Sequence, residues 1–499
     1  MRSQSDDRTK SLVRGNGVRS ANRSFSCALH ENGGQQIKLN RAMQIETGQQ
    51  VLGCELDGAD KLWVLMLFAP VAIDYRFDDN VAGSIGLYSL VLALNVLGAW
   101  QLVMRFGLPL GNAISSTLIV SIIFAVTALF GGIVYGSDLV SLLRSGASLI
   151  VYVMVLVGIA ALSRSGARPA SIWRLVMTTA AAGLVFQVVM VAWLRGLDFS
   201  SLRYEVLTGG ATALAALAVV ATAYGGWRIR YLVYSVLVAF LVFVSVTRTY
   251  LLVSGAMLLV LVLAAPIRTL TQRSLARAAQ LMPFVLIAVL AVDAIFPVSQ
   301  VDRWWDRLVS TRIAHRGIDV TGLTRIGELT YQLEQLEEST IGLLIGFGPA
   351  AQTRFDDQVA ALVTYLVGGD YGMIWRGGGF GHNNHFGVFY VGGIAAGTLL
   401  LLSQFLALVQ VPGLLRRYGR MSNGEERLLL MAIPTALVGY MALGAFSGTM
   451  GARSSAALLG ACLGMVWWLK DYWTTMEQRR TLGWRTSVPA TSMNRSASN

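Results

Sequence analysis

Gly381-His382-Asn383-Asn384-His385-Phe386-Gly387-Val388-Phe389-Tyr390-Val391 closes a long polar stretch and runs without a break into apolar residues as far as Val411. A hydrocarbon layer about 30 Å thick needs roughly 20 mostly apolar residues from each helix that crosses it, and this run meets that length. Two imidazoles are thereby fixed at a membrane surface. Working outward, runs of the same kind are expected at about 62–73, 84–104, 112–135, 139–162, 172–194, 206–227, 231–246, 250–266, 281–296, 385–411, 428–446 and 454–469. With 54% hydrophobic and 14% charged residues and a mean hydropathy of +0.57, an ordinary soluble globule is excluded. The expected fold class is an all-α integral membrane protein with about 12 transmembrane helices.

The first run is short and is followed at once by Asp74, Arg76, Asp78 and Asp79, so charge bias has to test it. Arg105, Arg164, Arg168, Arg228, Arg230, Arg268, Arg273, Arg277, Arg416, Arg417 and Arg420 fall at alternate connections, which the positive-inside rule assigns to the cytoplasm. The basic residues before the first run, Arg8 to Arg41, share that side only if the first run spans. Both termini are then cytoplasmic. The net charge of +12 reads as a topology signal and as affinity for anionic membrane lipids, with no nucleic acid partner implied. Residues 1–60 are polar and read as a disordered cytoplasmic tail, as do 471–499; helices one to nine occupy 61–297 and helices ten to twelve 385–470. Cys27, Cys54 and Cys462 form no disulfide or metal pattern.

One large outer loop is left, 298–384, between helices nine and ten, and it is the segment on that face large enough to build a site. Three of the chain's four histidines, His315, His382 and His385, lie in it or at its end. It opens on Trp304-Trp305, a pair suited to the membrane interface, and a helix is expected over 323–338, where Ile326, Leu329, Leu333 and Leu336 recur at helical spacing. Gly346-Phe347-Gly348 and Gly377-Gly378-Gly379-Phe380-Gly381 allow tight turns. Arg248 sits in a short turn at membrane depth, where a charge is costly unless it pairs or binds. With Arg203 and Arg325 on the same face it makes a candidate clamp for a diphosphate, because the planar guanidinium matches phosphate oxygens.

Taken in order, the Thr247-Arg248-Thr249 start of a span, the late outer loop with its Arg325-led helix, Gly346-Phe347-Gly348, and His382-Asn383 feeding a glycine-rich helix resemble the O-antigen ligase and O-antigen polymerase superfamily, over roughly 203–397. The resemblance implies transfer of a glycan from an undecaprenyl-diphosphate-linked oligosaccharide to an acceptor glycan, with inversion, at the periplasmic face of the bacterial inner membrane. It implies no metal, cofactor or nucleotide sugar. A chain-length regulator and a flippase of the same pathway are the protein partners it implies. The ligase branch commonly carries His-Asn, nine residues, then Gly-x-x and a Gly, Thr or Tyr; here Gly393 is in place, but Ala396 holds the last position and Gly397 follows one later. A polymerase of O-antigen, capsule or exopolysaccharide is therefore expected first, with a ligase onto lipid A core as the alternative. A lipid-linked oligosaccharide flippase is the alternative of another class.

The expected roles are His382 as base or orienting group for the acceptor hydroxyl, His385 as its support, and Arg203, Arg248 and Arg325 on the diphosphate. Each has a plainer reading. His385 also reads as a helix-start residue bonded to backbone, Arg248 as a headgroup anchor or ion-pair member, and Gly392-Gly393 and Gly397 as packing contacts. The His-x-x-His spacing also suits a metal, but no Cys or Glu lies nearby in sequence to complete a ligand set.

Overall fold

Most long apolar runs begin at a residue able to cap a helix. Asn112 and Ser115 form a reciprocal capping box, Asp138 accepts the Ser141 amide, Asn383 that of Phe386 and Asn423 that of Glu426. The computed structural model of the chain describes residues 56–74, 81–195, 207–225, 228–264, 293, 299–306, 309, 319–367, 370–374 and 377–486. Among them the helices are α1 (Gly58–Leu67), α2 (Ala69–Ala72), α3 (Val81–Phe106), α4 (Ala113–Val134), α5 (Leu139–Leu162), α6 (Pro169–Arg195), α7 (Gly210–Tyr224), α8 (Ile229–Ser245) and α9 (Arg248–Ala264). After these come α10 (Gln300–Trp305), α11 (Val320–Glu338), α12 (Thr340–Ile345), α13 (Asp357–Val367), α14 (Tyr371–Ile374), α15 (Asn384–Tyr418), α16 (Gly424–Gly444) and α17 (Arg453–Thr486). Two two-residue strands, β1 (Gln352–Thr353) and β2 (Gly377–Gly378), pair antiparallel.

Six of these helices, α3, α4, α5, α6, α15 and α16, are long and apolar enough to cross a membrane, and α7, α8 and α9 are apolar but shorter. The architecture is that of an all-α multi-pass membrane protein. At its centre, α5 packs against α17, α3 and α4, and α16 against α7 and α9. The outer helices turn Leu90, Trp100, Ile119, Val126, Val185 and Val236 outward, a display of apolar surface that suits lipid and not water.

Eleven of the twelve expected runs coincide with helical segments. The ninth, 281–296, lies outside the described residues apart from Asp293. The first differs in form: it is broken into α1 and α2 around Pro70, because proline cannot supply the amide that a continuous helix needs there. The arginine-bearing connections are tied together at one end of the bundle. Arg105 pairs with Asp57 and Asp60, Arg164 donates to the Leu108 carbonyl, Arg416 to that of Ala264 and Arg427 to that of Tyr224. The opposite end carries the loop that includes α10 to α14.

Candidate functional site

The loop docks on the bundle through backbone. α15 is interrupted at Gly393, whose φ of +75° is not helical, and the carbonyls of Tyr390 and Val391 accept hydrogen bonds from Phe347 (2.8 Å) and Gly348 (3.0 Å) instead. Gly346, at φ +74°, passes so close that a Cβ there would lie 2.3 Å from the Val391 carbonyl oxygen. The Phe347 ring fills the gap between Tyr135 and Tyr390, with centroids 4.5 and 5.0 Å away. Gly392-Gly393 is thus a packing element, as its plainer reading had it.

Around this anchor the loop has its own small core, Phe355, Ala360 and Val363 packed on Leu323 and Val359, which fixes α11 against α13. α11 forms over the expected residues, but it buries Gly327, Glu328, Gln332 and Leu336, while Ile326 (61% exposed) and Leu333 (40% exposed) point away. The cost of burying the acid is offset by its hydrogen bonds.

Those bonds build the site. Glu328 is 2% exposed; its Oε1 accepts from the Thr353 hydroxyl (2.8 Å), and its Oε2 lies 3.0 Å from the His382 amide nitrogen and 2.9 Å from His382 Nδ1. Gln332, one turn on, donates to the Gly379 carbonyl. A buried carboxylate therefore holds both the backbone and the ring of His382, whose side chain is 44% exposed. Such a carboxylate fixes the tautomer and plane of an imidazole.

The rest of the histidine motif is structural. His385 Nε2 lies 2.8 Å from the Met441 carbonyl oxygen in α16, Asn383 caps α15, and the Asn384 side-chain oxygen accepts the Met450 amide. His385 thereby fastens the segment that carries His382 to α16. Arg248 begins α9 two residues after Val246, a β-branched residue in the left-handed region (φ +49°), a conformation that such residues rarely adopt. Its guanidinium is 24% exposed, donates to the Thr321 hydroxyl (3.1 Å) and lies 3.9 Å from Asp319. Thr321, Arg325 and Glu328 share one face of α11, separated by one turn each. That face thus gathers His382, Arg325 and Arg248 within about 10 Å of helix length. Arg203 lies outside the described residues.

Glu328, Gln332 and Thr353 were absent from the sequence-derived set. The one signal for the first two is a carboxylate and an amide four residues apart, in register with Arg325. Among the described residues no group of three or more His, Cys, Asp or Glu is placed to hold a metal ion.

No family model matches the chain, and no curated protein is significantly similar to it. The chemistry of the site rests on its geometry.

Proposed function

We propose that the chain is a polysaccharide polymerase that transfers a glycan from an undecaprenyl-diphosphate-linked donor to an acceptor saccharide at the periplasmic face of a bacterial inner membrane. In this reading the twelve spans leave both termini cytoplasmic and the α11-bearing loop periplasmic. The observation that carries it is the Glu328–His382 pair, 2.9 Å apart, on the α11 face that also bears Arg325 and meets Arg248. A base for a hydroxyl and two cations for a leaving diphosphate are the groups this transfer needs.

His382 takes the proton of the acceptor hydroxyl as that oxygen attacks the anomeric carbon from the face opposite the diphosphate. The carbon–oxygen bond to the lipid diphosphate breaks, its electron pair leaves with the phosphate oxygen, and the anomeric centre inverts. Arg248 and Arg325 offset the charge that grows on the leaving group, and Glu328 offsets the charge on the imidazolium. The proton then passes from His382 to bulk water or to the departing diphosphate. The donor's polyprenyl chain stays in the bilayer beside the outward apolar faces.

The test is to delete the gene and fractionate the surface glycan. Single repeat units left on their carrier are the expected result. A long polymer stranded on undecaprenyl diphosphate would identify a ligase, and repeat units trapped on the cytoplasmic side would identify a flippase.

A further inference from the structure

At the arginine end, Arg174 on α6, Arg228 just before α8, and Arg230 on α8 converge on Glu425, the second residue of α16. Arg174 Nη2 lies 2.9 Å from Oε1 and Arg228 Nη2 2.9 Å from Oε2, and Arg230 shares Oε1 with the Tyr231 hydroxyl. Three guanidiniums thus meet one carboxylate, leaving two positive charges in excess. The neighbouring Glu426 is turned to Asn423 and does not join the cluster. Among the described residues each guanidinium uses one nitrogen on Glu425, and the three side chains are 45%, 61% and 40% exposed, so each keeps part of its charged group at the surface.

The position of the cluster is as telling as its charge. Arg174 stands about one and a half turns inside α6, some 7 Å along the helix, at the depth where arginine reaches for a headgroup. Above it α6 exposes Val185 and Val189, and beyond Arg230 α8 exposes Val233 and Val236. Cations at the interface continue directly into apolar faces on two helices that flank α7.

We propose that this cluster is a binding site for an anionic diacyl phospholipid, with the headgroup phosphodiester on Arg174, Arg228 and Arg230 and the acyl chains along α6 and α8. The site is independent of the glycan chemistry proposed above. A free phosphate would answer the charge but not the apolar faces, and a zwitterionic lipid the reverse.

The test uses the full chain, purified and delipidated in a neutral maltoside detergent, with the unfolding midpoint followed as additive is titrated. Dioleoyl phosphatidylglycerol should raise the midpoint saturably, while dioleoyl phosphatidylcholine and glycerol 3-phosphate should not. In Arg228→Gln/Arg230→Gln the half-saturating lipid fraction should rise about thirtyfold, taking the usual contribution of an interfacial arginine for each. Arg174→Gln, which changes one exposed contact, should raise it about fivefold. Glu425→Gln should lower it, because the competing carboxylate charge is gone. An equal response to phosphatidylcholine or to glycerol 3-phosphate overturns the proposal. So does a lipid response that Arg174→Gln leaves intact, or one that Glu425→Gln abolishes.

Discussion

At the loop end one buried carboxylate serves one imidazole; at the opposite end one carboxylate serves three guanidiniums. Glu328 is 3% exposed in its side chain and spends its oxygens on Thr353 and on the ring and amide of His382. Glu425 is 13% exposed, and its three partners are all near half exposed. The difference separates two uses of charge in one bundle. Where one buried carboxylate meets one imidazole, the ring and the amide are held in one geometry. Where the count is unbalanced and wet, the excess is open to whatever anion the surroundings supply.

The sharpest way to break this contrast is at the imidazole. His382→Ala should lower glycan transfer by about 10³-fold, within the usual range for loss of a positioned base, with the protein still at its normal level in the membrane. Near-normal polymer from that variant, analysed on a gel of extracted glycan, would remove His382 from the chemistry. Glu328→Gln keeps size and a hydrogen-bonding group but not the charge. It should cost about 10²-fold in kcat with KM little changed, the signature of a misplaced base rather than a lost binding contact. Arg248→Lys keeps the charge but not the fork, and a loss of about tenfold, felt at low donor concentration, is expected in initial rates.

The smallest effect belongs to the other end. Arg105→Gln, which removes the partner of Asp57 and Asp60, should leave transfer within about twofold and lower the unfolding temperature by a few degrees. This loss should depend on pH. Partial burial raises the Asp57 pKa, but the Asp60 amide and Arg105 together outweigh it and hold the carboxyl below its ordinary value. A depressed folded value means the contribution is fully present above the unfolded pKa of about 4 and fades as pH falls through the folded one. The gap between the two proteins in unfolding temperature should therefore narrow below about pH 4.

Much of this bundle is written plainly in the chain. Apolar length and caps such as Asn112, Asp138 and Asn423 mark where helices begin, because a helix start has few chemical solutions. The glycine motifs too were visible, although not that Gly346-Phe347-Gly348 would lie against the break at Gly393. That pairing depends on two segments meeting in space. Glu328 was missed for a sharper reason. Periodicity marks recurring apolar residues as the inward ones, but α11 turns Ile326 and Leu333 outward and buries Glu328 and Gln332, so much of its inward face is polar. His385 shows the converse, a conspicuous residue whose ring is spent on the Met441 carbonyl.

The docking of Phe347 between Tyr135 and Tyr390 also bears on how the protein is made. The Tyr135 hydroxyl meets Ser339, 204 residues later. At ordinary synthesis rates that interval lasts about 10–40 s, during which α4 sits in the bilayer before its partner segment exists. For that time the Gly131 backbone, which the Ile345 and Gly346 carbonyls come to cover, stands without the segment that packs on it.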